Sequence, residues 1–249
     1  MITKRLIFSL FLLFFNLNIY AADTIVDHNL DAKSPRKIYV FGASAASFDF
    51  RFNRDVKFTS ASGIKILFKI RATPGITMHR IGRDGLDWFN ITKRSDITQD
   101  DIAFFVFGET DCRTHIGRQR DTQKCDLSEI IDKLATAYIK TILANKNLVF
   151  GVPCAIVSVT PPTDKGENPH VPFYGTLADR VNITRSLNQK LKELCEQHNL
   201  IFIDIYDLYC NAAGALRPEL SDGHVHVHPD FNTPLKEWAI KVLLEHKVL

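Results

Sequence analysis

Ile38-Tyr39-Val40-Phe41-Gly42-Ala43-Ser44 is the stretch from which the fold can be read. Four large apolar residues in a row, with no polar alternation, suit a strand covered on both faces, and such strands belong to parallel sheets packed between helices. Gly42 breaks the strand into a tight turn and leaves Ser44 at its carboxyl end. Working outward, similar runs recur at 63–70, 102–107, 155–160 and 200–205. Amphipathic segments separate them. Ile130, Leu134, Ala137 and Ile142 recur near helical spacing within 127–145, and Leu187, Leu191 and Leu194 form one stripe within 176–198. Thr233 and Pro234 introduce a terminal helix over 235–245, with proline at its first position. The alternation predicts an α/β fold: a five-stranded, mainly parallel sheet with helices on both faces.

The first residues read differently. Lys4 and Arg5 precede an apolar run over 6–15 and a more polar stretch ending in Ala21 and Ala22. This is the three-part plan of a secretory signal peptide cleaved after Ala21 or Ala22. The apolar run is short against the roughly twenty residues of a spanning helix. The expected organisation is therefore a signal peptide at 1–22 and a single domain at 23–249, exported to the periplasm or beyond, with no membrane span after cleavage.

A net charge of +3, with Lys and Arg scattered among acids, argues against a nucleic-acid partner. The denser basic stretches at 33–37 and 113–120 read as solvated surface. Five cysteines in an exported chain leave at least one unpaired. Cys112 and Cys125 flank a short polar loop and are candidates for a disulfide, and no C-x-x-C spacing supports a zinc site. The irregular stretch 161–174 leaves the carboxyl end of a strand and is expected to overhang the site.

A second segment, Ser221-Asp222-Gly223-His224-Val225-His226, completes the chemical reading. A serine attacks a carbonyl at neutral pH only when a base takes its proton, and the base needs a carboxylate to orient it. Ser44, His226 and Asp222 supply nucleophile, base and orienting acid, with His224 as the alternative base. The stretch 45–50 reads as the start of a helix whose N–H groups would stabilise an oxyanion. Gly108-Glu109-Thr110-Asp111-Cys112-Arg113 follows another strand and delivers charge to the same sheet edge. A metal-dependent hydrolase is a separate option, with His224 and His228 as ligands beside Asp222 or Asp230.

These segments, with Thr77-Met78-His79-Arg80-Ile81-Gly82-Arg83-Asp84, Pro172-Phe173-Tyr174-Gly175-Thr176 and Leu187-Asn188-Gln189-Lys190-Leu191, resemble the SGNH (GDSL) hydrolase superfamily over nearly the whole chain after residue 22. The resemblance is to a bacterial subgroup with a Gly-Glu-x-Asp-Cys-Arg segment. It implies a flavodoxin-like three-layer fold, no cofactor, and catalysis by Ser44, Asp222 and His226. It also implies an oxyanion hole from the N–H of Ser44, the N–H of Gly82 (Gly85 as the second choice) and the side chain at 110. Three positions depart from the superfamily pattern. Ala43 replaces the aspartate before the serine, Thr110 replaces the oxyanion asparagine, and Asp222 stands four residues before His226 instead of three. The expected substrate is an ester, a small molecule or an O-acyl group on a glycan. The alternative is a non-catalytic glycan- or ligand-binding domain. A carboxylate aimed at the oxyanion position would repel developing charge, so Glu109 or Asp111 is expected in an ion pair with Arg113, Arg80 or Arg83.

Overall fold

Strand β1 (Arg36–Gly42) lies inside the sheet, and Ile38 to Phe41 are fully buried. The computed structural model describes residues 35–43 and 53–249. The expected signal peptide, the helix start at 45–50 and Ser44 itself lie outside the described residues.

Around β1 the sheet continues with β2 (Asp55–Thr59), β3 (Lys65–Ala72), β4 (Ile102–Val106), β5 (Cys154–Val157) and β6 (Ile201–Ile203), in spatial order β2-β3-β1-β4-β5-β6. Every pairing is parallel except β2 with β3. The sheet thus has six strands where the sequence predicts five. The added strand is short and alternates, with Val56 and Phe58 half-buried and Asp55, Lys57 and Thr59 exposed. This is how an edge strand with one wet face reads, and a charged residue such as Lys57 discourages further pairing there.

One face of the sheet carries α1 (Met78–Trp88), α2 (Ile116–Gln123), α3 (Leu127–Leu148) and α4 (Leu177–Gln197). Tyr39, Phe41 and Phe105 project into this layer and meet Ile81, Ile130, Leu134, Tyr138, Leu187 and Leu191. The rings of Phe41 and Phe105, register partners on β1 and β4, stack at 5.8 Å between centroids. The opposite face, built on Ile38, Val40, Phe68 and Phe104, is covered by α6 (Thr233–Glu245) through Leu235, Ala239, Ile240 and Leu243, while a single-turn helix α5 (Tyr206–Tyr209) follows β6. Among the described residues no helix is long and apolar enough to cross a membrane.

Helix α1 is absent from the sequence expectation, because its apolar residues are few and it contains two glycines. Its start is nonetheless defined: the Thr77 hydroxyl accepts the Arg80 N–H at 3.1 Å, as an N-cap does. At Gly85 the helix kinks, with φ +58°.

Candidate active site

In this strand order β1 pairs on one side with β3 and on the other with β4, so the chain direction reverses there and a crevice opens at the strands' carboxyl ends. The backbone at this point is clamped from both sides. Thr73 N–H donates to Gly42 O at 2.8 Å, and Ala43 N–H donates to Val106 O at 3.3 Å. The chain reaches Ser44 immediately after this clamp.

The acid and base are presented by the loop before α6. Asp222 Oδ1 accepts the N–H groups of His224 at 2.7 Å and His226 at 3.2 Å, which leaves Oδ2 for the imidazole: His226 Nδ1 stands 3.3 Å from it. Asp222 N–H returns to His226 O at 3.0 Å and closes the turn. Gly223 makes this geometry possible, since its φ of +85° is readily adopted only by glycine. The four-residue spacing is thus absorbed by the turn, and acid and imidazole still meet. With Nδ1 donating to Asp222, Nε2 is the ring's basic nitrogen. Asp222 and His226 are mostly covered, at 11% and 21% side-chain exposure, while His224 is exposed.

The loop 161–174 overlies this turn. At Gly166 (φ +85°) an added Cβ would stand 2.6 Å from His224 Cα, so the backbones are in contact. Arg113 Nη1 and Thr114 Oγ1 both donate to Pro172 O at 2.7 Å, and the buried Arg180 donates to Thr163 O at 3.1 Å. Both ends of the loop are therefore held by arginines.

The segment after β4 is delivered by Gly108, whose φ is +111° and where a Cβ would stand 2.7 Å from Val159 Cγ2. Arg113 Nε donates to Glu109 Oε1 at 2.6 Å, forming the expected carboxylate–arginine pair with both side chains largely buried. Arg80 and Arg83 instead pair with Asp84. Asp111 takes no arginine. It is completely buried and caps α1, accepting Met78 N–H at 2.7 Å and His79 N–H at 3.2 Å. Burial pushes its carboxyl up to about 7, against the pull of the two N–H bonds. Thr110 Oγ1 lies 3.3 Å from Glu109 Oε2 and donates there.

The oxyanion assignment of Gly82 is corrected by its placement. It is the fifth residue of α1, so its N–H points along the helix to the carbonyl four residues earlier. A Cβ there would stand 2.9 Å from Ala137 Cβ, so this glycine serves close packing of α1 on α3. Gly85 sits farther along the same helix, at its kink. The glycine at the sheet edge is Gly75, with φ +71°, in the loop that Thr73 ties to Gly42. Pro74-Gly75 directly after a strand was the sequence signal for it.

Nor does the metal-ligand set assemble. His228 turns its Nδ1 to the Asp230 N–H at 3.3 Å, and Asp222 is committed to His226. Among the described residues no three His, Cys, Asp or Glu side chains are grouped as a metal site. The disulfide expectation also fails: Cys112 and Cys125 are free thiols, the first buried and the second half-buried. Burial pushes the Cys112 thiol well up, and Cys154 and Cys195 to about 12, so all three are inert.

Comparison with known proteins adds to this geometry. Solved structures of an acetylxylan esterase from Geobacillus stearothermophilus superpose with a TM-score of 0.52 at 14% identity for one catalytic mutant and 0.53 at 13% for another, each covering 84% of this chain and 94% of the other. A provisionally named acylhydrolase from Bacteroides fragilis superposes with a TM-score of 0.52 at 14% identity, over 90% of this chain and 95% of its own. The fold is that of the SGNH hydrolases. The catalytic mutants of the acetylxylan esterase replace a serine, an aspartate and a histidine, the last two three residues apart. No family model matches the sequence, and no curated protein matches it.

Proposed function

We propose that this protein is an exported, cofactor-free ester hydrolase or acyl transferase of SGNH type, acting on an O-acyl group of a glycan. The observation that carries the reading is the Asp222–His226 pair. A carboxylate fixed by two backbone N–H groups holds an imidazole by Nδ1 in a loop at the sheet's carboxyl edge. This arrangement has no evident structural purpose on an exposed turn, and it is what a serine needs as its base.

In this reading Ser44 Oγ attacks the acyl carbonyl as His226 Nε2 takes its proton, and Asp222 stabilises the resulting imidazolium. The N–H groups of Ser44 and Gly75 receive the oxyanion. The ester C–O bond then breaks, and His226 returns the proton to the leaving alcohol. Water, deprotonated by the same histidine, releases the acid from Ser44; a sugar hydroxyl in its place completes a transfer. Glu109 is neutralised by Arg113 and does not repel the developing charge. The acetylxylan esterases of like fold support an acylated sugar as substrate. Cleavage after Ala21 or Ala22 would place the enzyme where such glycans are exposed, and the mass of the native protein tests it.

The test of the activity is hydrolysis of p-nitrophenyl acetate and of acetylated xylo-oligosaccharides. Ser44→Ala and His226→Ala should abolish turnover, and Asp222→Asn should lower kcat by up to about 10⁴ by holding the wrong tautomer. Hydrolysis unchanged in Ser44→Ala would refute the mechanism. A non-catalytic glycan-binding domain is the second reading, favoured by the engagement of Thr110 with Glu109 where an amide donor is expected. Glycan binding without turnover would select it.

A further inference from the structure

The cavity beside the Asp222–His226 turn is too small for a substrate's body. Lined by Glu109, Arg113, Arg180 and Val225, it encloses about 20 Å³, room for one water. The larger opening lies farther along the same edge, at the carboxyl end of β3. It measures about 610 Å³, in the range of small-molecule sites, and is lined by Arg54, Asp55, Arg71, Thr73 and Arg94. It adjoins the catalytic centre through Thr73, whose N–H is bonded to Gly42 O two residues before Ser44.

Its charge is lopsided: three guanidinium groups face one carboxylate. Asp55 takes Arg71 Nη1 at 3.2 Å and is itself half-exposed, so it offsets a single cation. Arg94 is built in. It donates to Thr73 Oγ1 at 3.0 Å and to Trp88 O at 2.9 Å, and its guanidinium lies 5.2 Å from the Trp88 ring and 5.4 Å from the Phe89 ring. Arg71 Nη1 is held a second time by Ile70 O at 2.8 Å, and its guanidinium lies 5.9 Å from the Tyr39 ring. Arginines already fixed by backbone carbonyls and aromatic faces lose little freedom when they bind. Their planar forks match a carboxylate or phosphate in pairs. An arginine needed only for packing or folding would bring its own acid, and Arg94 has none.

We propose that this cleft is an anion subsite, which binds an oxyanion carried by the saccharide whose ester is cleaved at Ser44. The substrate class is then an acidic glycan, with a uronate carboxylate or a sugar phosphate seated between Arg54, Arg71 and Arg94. The assignment rests on the hydrolase reading for its link to Ser44, but the binding itself does not.

Calorimetric titration of the mature full-length protein tests it with ligands that carry no ester: trigalacturonic acid, glucose 1-phosphate and neutral xylotriose. The acidic ligands should bind at least tenfold more tightly than xylotriose, and their affinity should fall with salt as screening grows. Whichever of uronate and phosphate binds more tightly identifies the anion. Arg94→Gln should lower acidic-ligand affinity at least tenfold. Arg54→Gln, remote from the Trp88 carbonyl, should do the same without touching the fold, and melting curves check both. Equal affinity for xylotriose and the acids, or unchanged affinity in both folded variants, overturns the proposal. A protein inactive on every ester that still binds uronate supports the subsite and refutes the hydrolase. One that hydrolyses neutral esters but binds no acid refutes the subsite alone.

Discussion

Asp111 offers the sharpest test of the physical reasoning. Its carboxyl group has no solvent exposure, yet it accepts two backbone N–H groups at the first turn of α1. Burial favours the neutral acid, the N–H bonds and the helix terminus favour the carboxylate, and the balance falls at about 7. In the unfolded chain an aspartate titrates near about 3.9. Between these values the unfolded state releases its proton and the folded state keeps it. The group's stabilising contribution is therefore complete below about pH 4 and is lost as pH rises to about 7. Three pH units at about 1.4 kcal/mol each amount to roughly 4 kcal/mol. Asp111→Asn removes the titration while keeping an acceptor for the helix. The variant should be within about 1 kcal/mol of the parent at pH 4 and should overtake it above pH 7. Asp111→Ala is the complement, since it orphans the buried Met78 N–H and should cost about 2–4 kcal/mol at pH 4. Urea denaturation of the three proteins from pH 4 to 8 reads the differences directly. If Asp111→Asn is more destabilised at pH 8 than at pH 4, the carboxylate is ionised throughout, the helix terminus outweighs burial, and the argument is wrong.

Other residues carry further expectations. Arg113→Ala strips Glu109 of its cation and loop 161–174 of its hold on Pro172, and should cost about 2–3 kcal/mol, a fall of roughly 4–12 °C in Tm by calorimetry. An unchanged Tm with activity lost would make Arg113 a substrate contact. Thr110→Asn restores an amide donor at the oxyanion and should raise kcat about tenfold to a hundredfold on p-nitrophenyl acetate; a fall in kcat with the fold intact would place residue 110 away from the oxyanion. Gly82→Ala should destabilise by about 1–3 kcal/mol in a chemical melt, because steric conflict with Ala137 outweighs the gain of about 1 kcal/mol in helix propensity. A stabilised variant would mean that α1 and α3 are not in close contact.

The parallel core of the sheet was legible because its strands are covered on both faces and write themselves as unbroken apolar runs. The edge strand β2 was not: five alternating residues carry a weak signal, and its pairing with β3 depends on a partner that only the fold supplies. Helix α3 could be read from its stripe. Helix α1 could not, since its contacts run through Ile81 and the bare backbone of Gly82, and a glycine that packs leaves no apolar mark in the sequence.

The same distinction explains the site. Asp222 and His226 were legible because both lie in one turn and their hydrogen bond is local. Gly82 was misread because a glycine's role is its environment: inside α1 it admits a neighbouring helix, whereas Gly75 after Pro74 turns the chain at the sheet edge. Asp111 was expected to seek a cation, but its partners are peptide groups thirty-three and thirty-two residues earlier, which no side-chain pattern announces. Arg54, Arg71 and Arg94 form no cluster in sequence either; a strand pairing and a loop bring them together. A net charge of +3 spread along a chain says little about binding, because the fold can gather three of its arginines around one cleft and leave them a single acid. Composition describes the whole surface, whereas recognition depends on the local excess, and here that excess stands beside the strand that leads to Ser44.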